Sequence, residues 1–299
     1  MGLGKDLFDF LAAAASRGIP RERVLTLGRL HNYTSPRDVG KILERHKFPA
    51  PDERPGTTQF AEHLFRAIGA GRVDSLDISD YEGATVLHDL NEPPPPELRG
   101  AFDLVVDGGT LEHVHNVSQA FDNLIALVRP GGHIAMITPA NNQCGHGFYQ
   151  FSPEMIYRTF SAERGCRMLW CVLLVRGPFR STWHLVRDPA TIGARIEVIT
   201  HWPTFLLVLA RREKETAPAA ADTQQSDYAQ NWIGNPAAQA KTTRQPEGRF
   251  SAARRWLQGH AGAAYPVFLN LYRHFFVTHP GNKKFFTPVD GCSLPPWAD

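Results

Sequence analysis

The chain has 299 residues, 42% of them hydrophobic, and its 32 basic and 30 acidic residues leave a formal charge of +2. This composition predicts a globular protein with a sizeable core, and the balanced charge argues against nucleic acid as a partner. The four cysteines have no CxxC spacing, so we expect neither a disulfide framework nor a structural zinc site. Because no signal-peptide pattern and no apolar run of about 20 residues is found, we expect a cytoplasmic protein without integral membrane association.

Helix and strand patterns alternate through the first part of the chain. An apolar segment at helical spacing comes first, and a glycine and a proline end it. A short apolar strand follows and stops at Gly28. The predicted elements are, in chain order, a helix over 3–16, this strand over 23–28, and helices over 36–46 and 58–68.

Two further strand patterns each end in an acidic residue. The strand over 72–77 ends at Asp77, and the strand over 84–89 ends at Asp89 before a run of prolines. Each aspartate either caps the turn that follows it or binds a ligand at the edge of the sheet.

The sequence FDLVVDGGTLEHV over residues 102–114 is the most informative segment. Its first six residues are typical of a strand buried on both faces, and it leads directly into Glu112 and His113. Ligands of parallel sheets collect just beyond the carboxyl ends of the strands. The sequence therefore predicts a functional site around this pair of titratable residues.

The remaining patterns complete an alternation of strands and helices. They are a helix over 117–128, a strand over 133–139, a helix over 152–160, and strands over 168–175 and 204–209. About seven strands alternate with helices, which predicts an α/β fold with a doubly wound, mostly parallel seven-stranded sheet and helices on both faces.

Composition divides the chain into three regions. Residues 1–212 hold the alternating pattern and form the predicted domain. Residues 213–248 are rich in Ala, Gln, Pro and Thr, which predicts a flexible linker. Residues 249–299 are aromatic and basic, and they predict a helical C-terminal extension that packs on the core, pairs subunits in an oligomer or contacts a membrane surface.

The order of these features resembles that of class I S-adenosylmethionine-dependent methyltransferases, and within them the small-molecule, type 11-like branch. The resemblance covers about residues 20–212. It depends on Gly28 after the first strand, Asp77, Asp89, the FD of residues 102–103, the LEHV block of residues 111–114, the RPGG turn of residues 129–132 and the HGFYQFSPE segment of residues 146–154. One departure is the loop after the first strand, where the family's Gly-x-Gly is replaced and only Gly28 remains.

The resemblance implies a Rossmann-like fold and S-adenosylmethionine as the cofactor. Asp77 matches the acid that accepts hydrogen bonds from the ribose hydroxyls, and Asp89 matches the residue that meets the adenine amino group. Asp107 and Gly108 match the segment whose backbone lies against the cofactor's amino group. With Gly28, these are the cofactor-binding residues that the resemblance implies.

Glu112, His113 and His146 are the candidate catalytic residues. A histidine at this edge is a suitable general base for a hydroxyl proton, and the glutamate orients it or a ligand amine. His146 lies in a glycine- and amide-rich loop after the next strand, so we expect it at the same edge. The structural alternative is that Glu112 caps the following helix and that His113 is a packed residue.

The same three residues resemble part of the metal site of small-RNA 2′-O-methyltransferases. That family has a fourth ligand, a glutamate, at the position of Gly109 here. Losing a carboxylate weakens a site for a hard cation. We therefore expect no metal.

The sequence thus predicts methyl transfer from S-adenosylmethionine to an oxygen, or a nitrogen, of a small-molecule or sugar-like acceptor. The alternative is a catalytically inactive protein of the same fold that acts as a binding or assembly module. A dinucleotide-linked oxidoreductase is disfavoured because the Gly-x-Gly-x-x-Gly fingerprint is missing.

Overall fold

The computed structural model of the protein describes residues 2–50, 58–215, 224–228, 265–272, 278–290 and 294–297. The strands in these residues are β1 (Gly2–Leu3), β2 (Arg23–Leu27), β3 (His31–Asn32), β4 (Arg72–Asp77), β5 (Val86–Leu87), β6 (Phe102–Asp107), β7 (Val128–Asn141), β8 (Cys166–Arg176), β9 (Ser181–Val186), β10 (Thr204–Arg212) and β11 (Phe286–Val289).

The helices in the same residues lie between these strands. They are α1 (Lys5–Ala15), α2 (Pro36–Arg45), α3 (Glu62–Ala67), α4 (Val117–Leu127), α5 (Pro153–Thr159), α6 (Pro189–Ile192) and α7 (Tyr265–Tyr272), with single 3-10 turns at Pro96–Leu98, Leu111–His113 and Ala162–Arg164. Among the described residues, no helix combines the length and the apolar character needed to cross a membrane.

Nine strands form the main sheet, in the order β11-β9-β8-β10-β7-β6-β2-β4-β5, and β1 pairs with β3 in a separate two-stranded sheet. Parallel pairing joins β7, β6, β2, β4 and β5, and antiparallel pairing joins the others. The predicted α/β class is confirmed, but the prediction of seven strands is wrong. The two additional strands, β9 and β11, extend the antiparallel side.

Helices cover both faces of the sheet, because its strands carry buried side chains on both sides. One core packs α1, α2 and α3 against residues such as Val24 and Leu207, and the other packs α4 and α5 against their neighbours Leu25 and Leu206. Ten of the eleven residues of α1 are buried, so this helix is part of the core. With both faces covered, the strand ends are the exposed places for a site.

The RPGG turn is not a simple stop after α4. The helix ends at Leu127, and the turn forms a bulge within β7. Val128 pairs with Phe102 before the turn, and His133 pairs with Leu104 after it, so residues 129–132 lie opposite Asp103 alone. Gly132 lies so close to neighbouring backbone that a Cβ there would be 2.8 Å from the carbonyl oxygen of Asp103.

Gly132→Ala is therefore expected to lower the free energy of unfolding by roughly 1–3 kcal/mol through overpacking. Urea denaturation measures this change. Gly145→Ala is the matched control, because a Cβ at Gly145 would meet no heavy atom within 4 Å in the described part of the chain, apart from its two sequence neighbours. Equal stability of the two variants would contradict the role given to this close contact.

The predicted division into domain, linker and extension stays a prediction. Most of the predicted linker and much of the predicted extension lie outside the described residues. Within the extension, α7 is helical, whereas β11 joins the main sheet and brings Phe285 and Phe286 into the core.

Candidate active site

The site candidates lie where β2 and β6 end side by side. These strands pair in parallel, with Leu27 opposite Asp107, and β2 pairs on its other side with β4. In open α/β sheets the crevice beyond such neighbouring carboxyl ends is the usual place for a ligand. The hydroxyl of Thr110 donates to the carbonyl oxygen of Leu27 at 2.7 Å, which ties the turn after β6 to the end of β2.

Asp107, the last residue of β6, is completely buried. Its Oδ1 accepts hydrogen bonds from the backbone N–H groups of Gly109 (3.2 Å) and Thr110 (2.8 Å). Its Oδ2 has no hydrogen-bond partner among the described residues. Burial raises the pKa of this carboxyl group to about 7.

Glu112 lies in the 3-10 turn that follows, and only 1% of its side chain is exposed. Its Oε2 also lacks a hydrogen-bond partner within the described part of the chain. Burial, followed by the charge of Asp107, raises the pKa of Glu112 to about 8. The cap of α4 is Asn116, so the alternative role of Glu112 as a helix cap is wrong.

The structure brings the three predicted catalytic side chains together. Nε2 of His146 lies 3.4 Å from Oε1 of Glu112, and the ring centroids of His113 and His146 are 5.2 Å apart. Burial, and then the charge of His146, lower the pKa of His113. The cluster thus combines a buried carboxyl group with two accessible imidazoles.

One potential ligand atom from each of Glu112, His113 and His146 lies within 4.8 Å of the others. Two imidazoles and one carboxylate are a donor set that divalent transition metals accept. The expectation of no metal, made from the sequence, therefore stays a prediction that a chelator tests.

Three of the predicted cofactor-binding residues lie at the ends of β2, β4 and β5. Gly28 has a positive φ of 70°, and its N–H donates to the carbonyl oxygen of Leu76 at 2.7 Å. Asp77 ends β4, is partly exposed, and its Oδ1 accepts from the N–H of Ile78 at 2.7 Å. Its carboxylate keeps further acceptor capacity toward the edge of the sheet.

Asp89 has partners within its own turn. Its Oδ1 accepts from both the backbone N–H (2.9 Å) and the side-chain amide (2.8 Å) of Asn91, and these bonds lower the pKa of Asp89. The Oδ1 of Asn91 in turn accepts from the N–H of Asn116 at 2.9 Å. The turn-capping role, one of the two alternatives for Asp89, is therefore present in the structure.

Gly108 is covered by parts of the chain that the sequence did not connect with it. Its carbonyl oxygen accepts the N–H of Gly2 at 3.3 Å. A Cβ at Gly108 would lie 2.6 Å from Cδ2 of Leu30, which is itself buried. Leu30 belongs to the loop that replaces the expected Gly-x-Gly. The missing Gly-x-Gly was therefore the feature of the sequence that indicated a changed environment at Gly108.

The aromatic residues after β7 have three different environments. Phe151 is buried in the core, Phe148 is 67% exposed, and the hydroxyl of Tyr149 donates to the carbonyl oxygen of His115 at 2.7 Å. The sequence gave no signal for the hydrogen bond of Tyr149.

Several solved structures are similar to this chain at low identity. The trans-methyltransferase CalH, in complex with S-adenosylhomocysteine, is 13% identical over 68% of this chain and 54% of its own, with a TM-score of 0.36. TehB from Haemophilus influenzae is 12% identical over 67% and 61%, with a TM-score of 0.38. The chain thus spans little more than half the length of these two proteins.

The 1,6-didemethyltoxoflavin-N1-methyltransferase of Burkholderia thailandensis, with 1,6-didemethyltoxoflavin and S-adenosylhomocysteine bound, is 16% identical. That match covers 69% of this chain and 79% of the other, with a TM-score of 0.37. No curated protein matches the chain in sequence.

A family model matches part of the chain. Residues 55–189 match a model described as a methyltransferase domain, and this stretch contains Asp77, the Glu112–His113 pair and His146. This match agrees with the resemblance to class I S-adenosylmethionine-dependent methyltransferases that the sequence carries. S-adenosylmethionine is the cofactor of this class.

Proposed function

We propose that the protein transfers the methyl group of S-adenosylmethionine to an oxygen, or a nitrogen, of a small-molecule or sugar-like acceptor. The cofactor supplies an electrophilic methyl group on a sulfonium centre. The protein must therefore align the acceptor and remove its proton. The observation that carries the proposal is the cluster of Glu112, His113 and His146 at the carboxyl end of β6.

His113 is the proposed proton acceptor. Burial and the nearby His146 hold its pKa below the ordinary value, so the ring is neutral at pH 7 and keeps a free lone pair. A neutral imidazole at this edge takes a proton from an acceptor hydroxyl, which favours oxygen as the methylated atom.

Glu112 is the proposed orienting residue. Because its pKa is raised to about 8, the carboxyl group is mostly protonated at neutral pH. It then donates a hydrogen bond, either to His146, 3.4 Å away, or to the acceptor. This arrangement supports a role in alignment and leaves proton removal to the imidazoles.

Cofactor binding is proposed for Gly28, Asp77, Asp89, Asp107 and Gly108. Asp77 has the clearest role, because its partly exposed carboxylate at the end of β4 suits the two hydroxyls of a ribose. Asp107 ends β6, and its buried Oδ2 has no hydrogen-bond partner among the described residues.

Asp77→Ala is expected to weaken S-adenosylhomocysteine binding by about 10- to 100-fold, since hydrogen bonds to a charged group contribute roughly 1.5–3 kcal/mol. Isothermal titration calorimetry measures the change. Asp80→Ala is the matched control, because Asp80 is an exposed acid three positions further on. Equal affinities of the two variants would contradict the ribose role.

The same titration tests the alternative of an inactive binding or assembly module. If the folded wild-type protein binds neither S-adenosylmethionine nor S-adenosylhomocysteine, the proposed function is wrong. Micromolar binding of both, with turnover of the first, supports it.

A further inference from the structure

One carbonyl group of the 3-10 turn Leu111–His113, called the catalytic turn below, holds the loop between β7 and α5 by two hydrogen bonds. The oxygen of Glu112 accepts the N–H of Phe148 at 2.8 Å and the N–H of Tyr149 at 3.2 Å. Two amides on one acceptor fix the loop against the 3-10 turn that carries Glu112 and His113.

Gly147 allows the two segments to approach this closely. A Cβ at this position would lie 2.8 Å from the carbonyl oxygen of Glu112 and 3.0 Å from Nδ1 of His113. Any other residue would push the loop away from the turn. The next residue toward the N-terminus is His146, so that displacement would move its ring.

Tyr149 makes a second attachment on the other side of the turn. Its hydroxyl donates to the carbonyl oxygen of His115 at 2.7 Å, and its ring stacks on Phe151 at a centroid distance of 6.0 Å and an angle of 20°. Phe151 is buried and packs edge-on against Phe121 of α4. The phenol is thus fixed at its ring by the core and at its hydroxyl by the backbone of His115, two residues after the catalytic turn.

The side chain of His146 has little burial of its own to hold it, since 46% of it is exposed. Its backbone N–H donates to the carbonyl oxygen of Gln143 within the same loop. Its distances to Glu112 and His113 therefore depend on how the loop is attached.

We propose that Gly147 and the hydroxyl of Tyr149 are positioning residues that hold His146 beside Glu112 and His113. The inference rests on the proposed function, because the position of His146 matters for catalysis only if the cluster handles the acceptor. Its test needs no acceptor.

The test uses Tyr149→Phe, which removes one hydrogen bond and keeps the ring. The matched control is Tyr157→Phe, because the hydroxyl of Tyr157 makes the same kind of bond, at 2.7 Å, to the carbonyl oxygen of Val186. Gly147→Ala is the second variant. Thermal unfolding shows that each variant is folded before it is compared.

The readout is the NMR titration of the histidine Cε1–H groups in the full-length protein. The chain has 13 histidines, so the signals of His113 and His146 must be assigned. Each is identified as the signal that is missing from the spectrum of His113→Gln or of His146→Gln. The charge of His146 contributes to the lowered pKa of His113. His146→Gln is therefore expected to raise the pKa of His113, and this rise is the reference for the other variants.

Tyr149→Phe and Gly147→Ala are expected to raise the pKa of His113 toward the value in His146→Gln, and to shift the His146 signal. Tyr157→Phe is expected to leave both signals as in the wild type. An unchanged His113 titration in the two loop variants, or an equal change in Tyr157→Phe, overturns the proposal. Failure of the proposed function is separate, since it appears as absent S-adenosylhomocysteine binding in the wild type.

Discussion

His113→Ala is expected to lower the rate of methyl transfer by about 10²- to 10⁴-fold, the usual contribution of a positioned general base. Its affinity for S-adenosylhomocysteine is expected to stay within about twofold of the wild type, because the proposed ribose contact belongs to Asp77. The result thus separates proton removal from cofactor binding. It is the opposite of the pattern expected for Asp77→Ala.

The measurement follows radioactive methyl groups from S-adenosylmethionine into the small-molecule fraction of a cell extract, which supplies acceptors. His279→Ala is the control, since His279 is exposed and precedes β11 at the other side of the sheet. Equal loss of cofactor affinity in His113→Ala and Asp77→Ala would contradict the division of roles.

A parallel reaction with EDTA is expected to keep its rate, and a loss of activity reversed by a divalent cation would contradict the expectation of no metal.

Glu112→Gln is expected to make the protein more stable than the wild type at alkaline pH, by an amount that grows as the pH rises. The folded state raises the pKa of Glu112 from 4.5 to about 8, so it binds this proton more tightly than the unfolded chain does. Stability is therefore lost between these two pH values as the unfolded chain ionises first. The loss is on the order of 5 kcal/mol, since one pKa unit corresponds to about 1.4 kcal/mol.

Urea denaturation at pH 5, 7 and 9 measures this difference. Asp103→Asn is the contrasting control. Burial raises the pKa of Asp103, but hydrogen bonds from Arg23 and Arg129 lower it by more, so the net shift of its pKa is downward. Asp103 therefore stabilises the fold above its ordinary pKa, and Asp103→Asn is expected to be less stable than the wild type by a constant amount from pH 5 to 9. A pH-independent difference for Glu112→Gln would contradict the burial of an ionisable carboxyl group.

The sequence predicted where Glu112 and His113 lie in the fold, because the relevant signals are local. FDLVVD has four apolar residues, three of them consecutive, so it marks a buried strand, and the parallel topology then places Glu112 and His113 at its carboxyl end. His146 follows β7, the neighbouring strand, which is why its expected proximity is also found.

The predictions were wrong or incomplete where contacts join distant parts of the chain. The strand β9 is short and contains Thr182 and His184 among its apolar residues, and β11 contains Pro288, which argues against a central strand. The bond from Gly2 to Gly108 likewise has no local pattern, because it joins the first strand to the turn after β6.

The place of β11 at the rim of the sheet also affects how the protein is made. Phe286 pairs with Val186, so β9 has a partner on one side only until the ribosome has released a much later segment. During that interval the open rim of β9 presents unpaired amide and carbonyl groups, which favour pairing with another nascent chain. Pro288 reduces the same hazard afterwards, because a residue without an N–H offers one donor fewer to an incoming strand once β11 forms the rim.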